Sequence, residues 1–183
     1  SESVAKQMLK DVLLGVPSQG KVIIVTTFSS HIARLKSIIE MGKKLDRRVV
    51  LLGRSLAKYV KAAEKIELVN FEKDVVMASY RDQVEKTLQK IQKIGKDKFL
   101  IVCTGHQGEP KAMLSKMARG DLQFAFESGD IVVFSCSVIP VELNQQNRDI
   151  LEENLRAKGV RIFRDVHVSG HAAQEEQKLL INL

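Results

Sequence analysis

The residues with the most chemical potential lie near the C-terminus, in the run His167-Val168-Ser169-Gly170-His171, which holds two of the chain's four histidines. Strand alternation would put His167 and Ser169 on the same side, and Gly170 permits a sharp change of direction. His171 then leads into a last helix, read as roughly Ala172–Leu180. Imidazoles near a helix start could hold phosphate oxygens, transfer a proton or bind metal, and residue type does not choose among these.

Three further segments carry small, polar or imidazole side chains after an apolar run. In Thr26-Thr27-Phe28-Ser29-Ser30-His31, Ser29 or Ser30 could cap the next helix or help hold an anion at its free N–H groups. Thr104-Gly105-His106-Gln107-Gly108-Glu109-Pro110 has two glycines that allow tight turns near a ligand, and a proline that suits a first helical turn. Ser135-Cys136-Ser137-Val138-Ile139-Pro140 leaves its apolar run with hydroxyls, and Cys136 fits the pattern of an inert core thiol better than that of a nucleophile. Candidates at this edge are Ser30, His31, Gly105, Gln107, Gly108 and Glu109. Neither GxxxxGK[ST] nor GxGxxG occurs, and there is no HxHxDH and no CxxC, so the chain holds no complete metal constellation.

These segments need a scaffold, and the apolar pattern supplies one. Runs at Lys21–Phe28, Arg48–Gly53, Val75–Ser79, Phe99–Gly105, Ile131–Val138 and Val160–Val168 have strand length, and several are apolar throughout, as suits strands covered on both faces. Between them lie helical patterns. Met8, Leu9, Val12 and Leu13 line one face of a first helix, and Ile32, Leu35, Ile38 and Ile39 line the next. Val84, Leu88 and Ile91 recur in Arg81–Ile94, and Ile150, Leu151 and Leu155 in Asn144–Lys158, before a stop at Gly159. This alternation predicts an α/β fold: a doubly wound, mostly parallel sheet with helices on both faces, in a single domain over 1–183. In such sheets ligands bind beyond the carboxyl ends of the strands, where all four segments fall.

With 44% hydrophobic residues the chain can build a substantial core, and three prolines exclude fibrous and low-complexity readings. No apolar run reaches membrane-spanning length and no cleavable signal is visible, so a cytoplasmic location with no membrane partner is expected. The chain lacks an initiator methionine and reads as an excised piece. Its net charge of +7 suits a polyanionic partner without specifying one. Basic stripes at Lys43, Lys44, Arg47 and Arg48, at Arg54, Lys58, Lys61 and Lys65, and at Lys86, Lys90 and Lys93 read first as solvated faces. With no tryptophan and two tyrosines, a platform of stacked bases is disfavoured.

Several blocks together resemble the β-CASP region of ribonuclease J, especially its archaeal members. They are Thr26–Leu35, Leu52–Ser55, Cys103–Pro110, Ser115–Ala118, Gly129–Pro140 and, most strongly, Asp165–Ala172, in the family's order. The resemblance implies the β-CASP insert domain of a metallo-β-lactamase superfamily enzyme. That enzyme is a metal-dependent ribonuclease of RNA processing and decay, acting 5′-to-3′ on single-stranded RNA with a 5′-monophosphate, and as an endonuclease in some members. By matching position, His171 resembles the motif B histidine, with a proton-transfer role. His167, Ser169 and Gly170 resemble residues that hold RNA phosphates, including the 5′ end, and Ser135 resembles the hydroxyl across that pocket. Motif A is expected outside the piece, and the Pro140–Asn144 loop departs from the family's usual strings.

The resemblance also implies partners. A metallo-β-lactamase domain of the same protein would carry two metal ions, usually zinc, and the intact enzyme could form a homodimer. The chain lacks the HxHxDH motif and ends before the family's Val-His-Gly histidine, so alone it is expected to bind no metal tightly and to be inactive. The competing expectation is a free-standing doubly wound module for a nucleotide or small phosphate ligand. A DNA-directed β-CASP protein is the less favoured third reading.

Overall fold

The computed structural model describes residues 2–164 and 166. His167, Ser169, Gly170, His171 and the last helix read from the sequence lie outside the described residues.

The apolar runs become six strands: β1 (Ile23–Thr26), β2 (Arg48–Leu52), β3 (Val75–Ala78), β4 (Phe99–Cys103), β5 (Ile131–Phe134) and β6 (Arg161–Phe163). They form one parallel sheet in the order β3-β2-β4-β1-β5-β6. The central strands are buried over their whole length, and Ile23 sits between Leu100 and Ile131. Continuous burial explains why these strands read as unbroken apolar runs: both faces need covering.

Helices α1 (Glu2–Gly15), α2 (Ile32–Lys44), α3 (Arg54–Lys65), α4 (Arg81–Ile94), α5 (Met113–Arg119) and α6 (Glu142–Ala157) supply the cover. Strand alternation divides the core in two. Ile24, Val50, Ile101 and Val132 face Leu88 of α4, Met117 of α5 and Leu155 of α6. Ile23, Val49, Leu100 and Val133 face Leu9 of α1, Ile38 of α2 and Leu56 of α3. Each such fully buried leucine or isoleucine contributes about 1.5–3 kcal/mol of transfer free energy.

The chain crosses one face after β1 and β2 and the opposite face after β3, β4 and β5, as right-handed crossovers require. Neighbours β1 and β4, β1 and β5, and β2 and β4 therefore send the chain in opposite directions. Clefts open at their carboxyl ends.

Local readings change in four places. Arg54–Lys65, read only as a basic stripe, is helix α3, whose Leu56, Ala57, Val60 and Ala63 are buried. Pro110 precedes α5 instead of opening it: Ala112 N–H bonds the Glu109 carbonyl in a turn, and the helix starts at Met113. Ile150 is 58% exposed because the inward face of α6 passes through Arg148, Leu151, Glu152 and Leu155. Arg47 is buried, bonding the Lys21 and Phe99 carbonyls through Nη1 and Ser18 through Nη2, so it holds strand ends together and is not a solvated charge. Lys86, Lys90 and Lys93 do face solvent, and Gly159 follows the end of α6. Among the described residues, no helix is long and apolar enough to cross a membrane.

Candidate functional site

β1, β4 and β5 end side by side, with Thr26 paired to both Cys103 and Phe134. Their following loops form the first cleft. Ser135 lies at its base, fully buried. Its hydroxyl donates to the Thr26 carbonyl at 2.9 Å and its amide to the same oxygen at 3.0 Å. Cys136 is buried beside Thr27, its Sγ 3.4 Å from Thr27 Oγ1, as the core-thiol reading requires. Burial also pushes the Cys103 thiol up to about 12, which leaves it protonated and inert at neutral pH.

Arg34 joins this base to the chain's last described residue. It projects from α2 into the interior, where Nη1 donates to the Ser135 carbonyl at 2.5 Å and to the Val166 carbonyl at 3.5 Å. Its other guanidinium nitrogens meet Glu2 of α1 at 2.9 and 3.2 Å. The Val166 amide donates to the Phe134 carbonyl at 3.2 Å. Val166 is therefore fixed against the end of β5, and His167 is the next residue in the sequence. Burial raises the Glu2 pKa, but bonding to Arg34 and Ser37 and the charges of Arg34 and His31 outweigh it and hold the carboxyl below the usual range.

The first loop does not use its serines as caps. His31 occupies the N-cap of α2 without a side-chain cap bond, Ser30 is exposed in the preceding turn, and His31 Nε2 lies 3.4 Å from Glu2 Oε2. Glu2 of α1 thus meets both Arg34 and His31 at this edge.

The second loop is a clip. Buried Gln107 donates from Nε2 to the Ser137 carbonyl at 3.1 Å and accepts from the Ile139 amide at 2.8 Å, tying the β4 loop to the β5 loop. Glu109 accepts from the Gln107 amide at 3.1 Å. Gly105 and Gly108 are there for space and conformation: both have positive φ, and a Cβ would lie 2.9 Å from Leu114 Cβ and 2.4 Å from the Arg148 backbone respectively. Arg148 completes the clip from α6, donating to the His106 carbonyl at 2.6 Å and to Glu152 at 2.9 Å with its guanidinium 3.3 Å from the Phe134 ring centroid.

His106 fills the interior of this cleft, 3% exposed and edge-to-face with Phe28 at 3.9 Å. Neither ring nitrogen meets a partner in hydrogen-bond geometry among the described residues. Burial lowers its pKa below the ordinary 6.5, and the Arg148 charge adds to this, while Glu109 and the Thr27 backbone oppose it. The imidazole is therefore neutral at neutral pH.

Sequence reading missed Arg34 and Arg148 as organisers. Their signal is position: Arg34 precedes Ile38 by one turn and Arg148 precedes Leu151 and Leu155 on the buried stripe of its helix. Among the described residues, no three His, Cys, Asp or Glu side chains are grouped to hold a metal ion, so these residues do not fit a metal centre.

The sequence matches the family described as Ribonuclease J, beta-CASP domain over residues 19–152. Two curated relatives named Ribonuclease J are similar over nearly the whole chain. One, from Methanocaldococcus jannaschii, is 46% identical over 97% of this chain, and the other, from Pyrococcus abyssi, is 43% identical over 100%. A Ribonuclease J of Thermus thermophilus is 35% identical over 88% of the chain. The chain spans 40% of the length of the first two relatives and 27% of the third.

Proposed function

The chain belongs to the ribonuclease J β-CASP family, and from that premise we propose that it is the RNA-binding part of a ribonuclease, with the cleft at the ends of β1, β4 and β5 as one shore of its substrate site. The observation that carries this reading is the placement of Val166. Arg34 and Phe134 hold this residue, which precedes His167 in the sequence, beside Ser135 at the edge of the cleft where α/β sheets bind ligands.

In this reading His167, Ser169 and Gly170 hold RNA phosphates, including a 5′-monophosphate, and Ser135 faces them. To reach a phosphate, the Ser135 hydroxyl must release the Thr26 carbonyl. His171 transfers a proton to or from the reacting oxygens. The divalent metals expected of such an enzyme, two zinc ions by the family resemblance, would be held by a metallo-β-lactamase domain outside this chain, since the described residues do not fit them. That domain packs on the catalytic face, the substrate is a single RNA strand, and the isolated chain is inactive. The cytoplasm is the proposed location and a homodimer the proposed assembly.

The test uses the full-length protein and separates the two histidines. His171→Ala should lower the single-turnover rate at saturating RNA by roughly 10² to 10⁴, the usual worth of a proton-transfer group. His167→Ala should chiefly weaken binding. An unchanged single-turnover rate in His171→Ala would remove the proton-transfer assignment. A full-length protein that cleaves no RNA would remove the function.

A further inference from the structure

We propose that a second cavity, at the carboxyl ends of β2, β3 and β4, holds internal phosphates of the same RNA strand; this rests on the reading that the protein acts on RNA. The cavity has a volume of about 930 Å³ and is lined by Arg54, Arg81, Lys111 and Lys116, with Tyr80 at its wall. That volume lies within the range of about 300–1,000 Å³ typical of ligand sites.

The charge in this cavity is poorly neutralised. Asp121, the acid in the lining, is engaged by Arg119 at 2.7 Å, and Arg81 has Glu85 at 3.7 Å. Among the described residues, no carboxylate lies within 4.0 Å of the Arg54, Lys111 or Lys116 cation. Three such cations on a concave wall focus a positive field. They come from three different elements: the start of α3, the loop after β4, and α5. Such a spread suits successive phosphates of a chain better than one compact anion. The first turn of α3 opens here without a side-chain cap, which adds to the positive potential. Tyr80 is 65% exposed and offers one aromatic face to a base.

The cavity and the first cleft share one loop. Thr104, Lys111 and Ala112 line the cavity, while Gln107 between them is bonded to Ser137 in the first cleft. A strand anchored at the Ser135 edge would follow that loop into the cavity. By spacing alone Arg54 belongs with a solvated stripe. The fold separates it from Lys58, Lys61 and Lys65 by turning the N-terminus of α3 toward the strand ends.

The test is made on full-length protein with 5′-monophosphorylated single-stranded RNA, using a trinucleotide and a longer strand, in a series of salt concentrations. Arg54→Gln combined with Lys111→Gln should weaken the longer strand about tenfold at low salt. It should also lower the salt slope by about 0.7 for each phosphate that is no longer neutralised, with a smaller effect on the trinucleotide. Both side chains are exposed, and a melting profile confirms that the variant folds. Lys86→Gln combined with Lys90→Gln removes equal charge from the outer face of α4 and should cost less. Equal losses in the two double variants, or no loss in the first, would overturn the cavity assignment while leaving RNA action intact. Adenosine monophosphate that saturates the cavity without competing with the longer strand would assign it to a free nucleotide and overturn the proposal. A wild-type protein that binds no RNA would remove the parent reading, and this one with it, before any variant is made.

Discussion

Arg34 Nη1 donates to the Ser135 carbonyl at 2.5 Å, and the same nitrogen reaches the Val166 carbonyl. One buried guanidinium thus fixes both the end of β5 and the segment that leads to His167. A charged hydrogen bond of this kind contributes about 1.5–3 kcal/mol, and its loss leaves buried carbonyls unsatisfied. Arg34→Ala should therefore speed hydrogen exchange of the Val166 amide at least about tenfold, since a factor of ten corresponds to about 1.4 kcal/mol. Unchanged exchange at Val166 would show that Arg34 does not hold this edge.

Gly108 should tolerate no side chain. Its φ is 75°, and a Cβ would stand 2.4 Å from the backbone of α6. Conformational strain and overpacking together predict that Gly108→Ala costs about 3 kcal/mol or more, with α6 displaced. Thermal unfolding of the wild-type and variant proteins measures it, and a midpoint within a degree of wild type would contradict the packing described.

His106 should make the fold acid-sensitive before the carboxylates do. Its folded pKa is depressed, so the unfolded chain binds the proton more readily. Stability is full above the ordinary 6.5 and falls as pH drops through the lower folded value. Glu2 and Glu40 are also depressed, from 4.5, and lose their contribution only further into acid. His106→Gln should flatten the fall in stability that sets in as pH drops below the ordinary 6.5. Denaturant midpoints measured through that fall decide it, and an unchanged slope would refute the assignment.

Cys103 should be silent toward thiol reagents in the folded protein. With a pKa of about 12 and complete burial, its thiolate fraction at pH 8 is about one in ten thousand. Labelling should appear only in denaturant. Native labelling at the rate of an exposed thiol would place Cys103 outside the core.

The sheet was legible in the sequence because its strands are buried on both faces and therefore carry unbroken apolar runs such as Phe99–Cys103. Helix α3 was read only through its basic residues, although Leu56, Ala57, Val60 and Ala63 recur between them at helical spacing and form its buried face. The strand-end rule found the loops, and with them Ser135, Gln107 and Gly108. It could not show that Gln107 and Gly108 are spent on holding loops and α6 together, since those contacts join residues far apart in the chain. Nor could it show that Arg34 and Arg148 are turned inward. A buried arginine differs from a surface one only through partners that the fold brings to it.

The most direct test of the proposed substrate edge is the ratio of single-turnover cleavage rates on RNA carrying a 5′-monophosphate and RNA carrying a 5′-hydroxyl, measured on the full-length wild-type protein and on Ser169→Ala. The wild-type ratio should lie well above one and collapse toward one in the variant, because the hydroxyl removed belongs to the proposed pocket beside Val166 and Ser135. A ratio that survives Ser169→Ala unchanged would contradict that assignment.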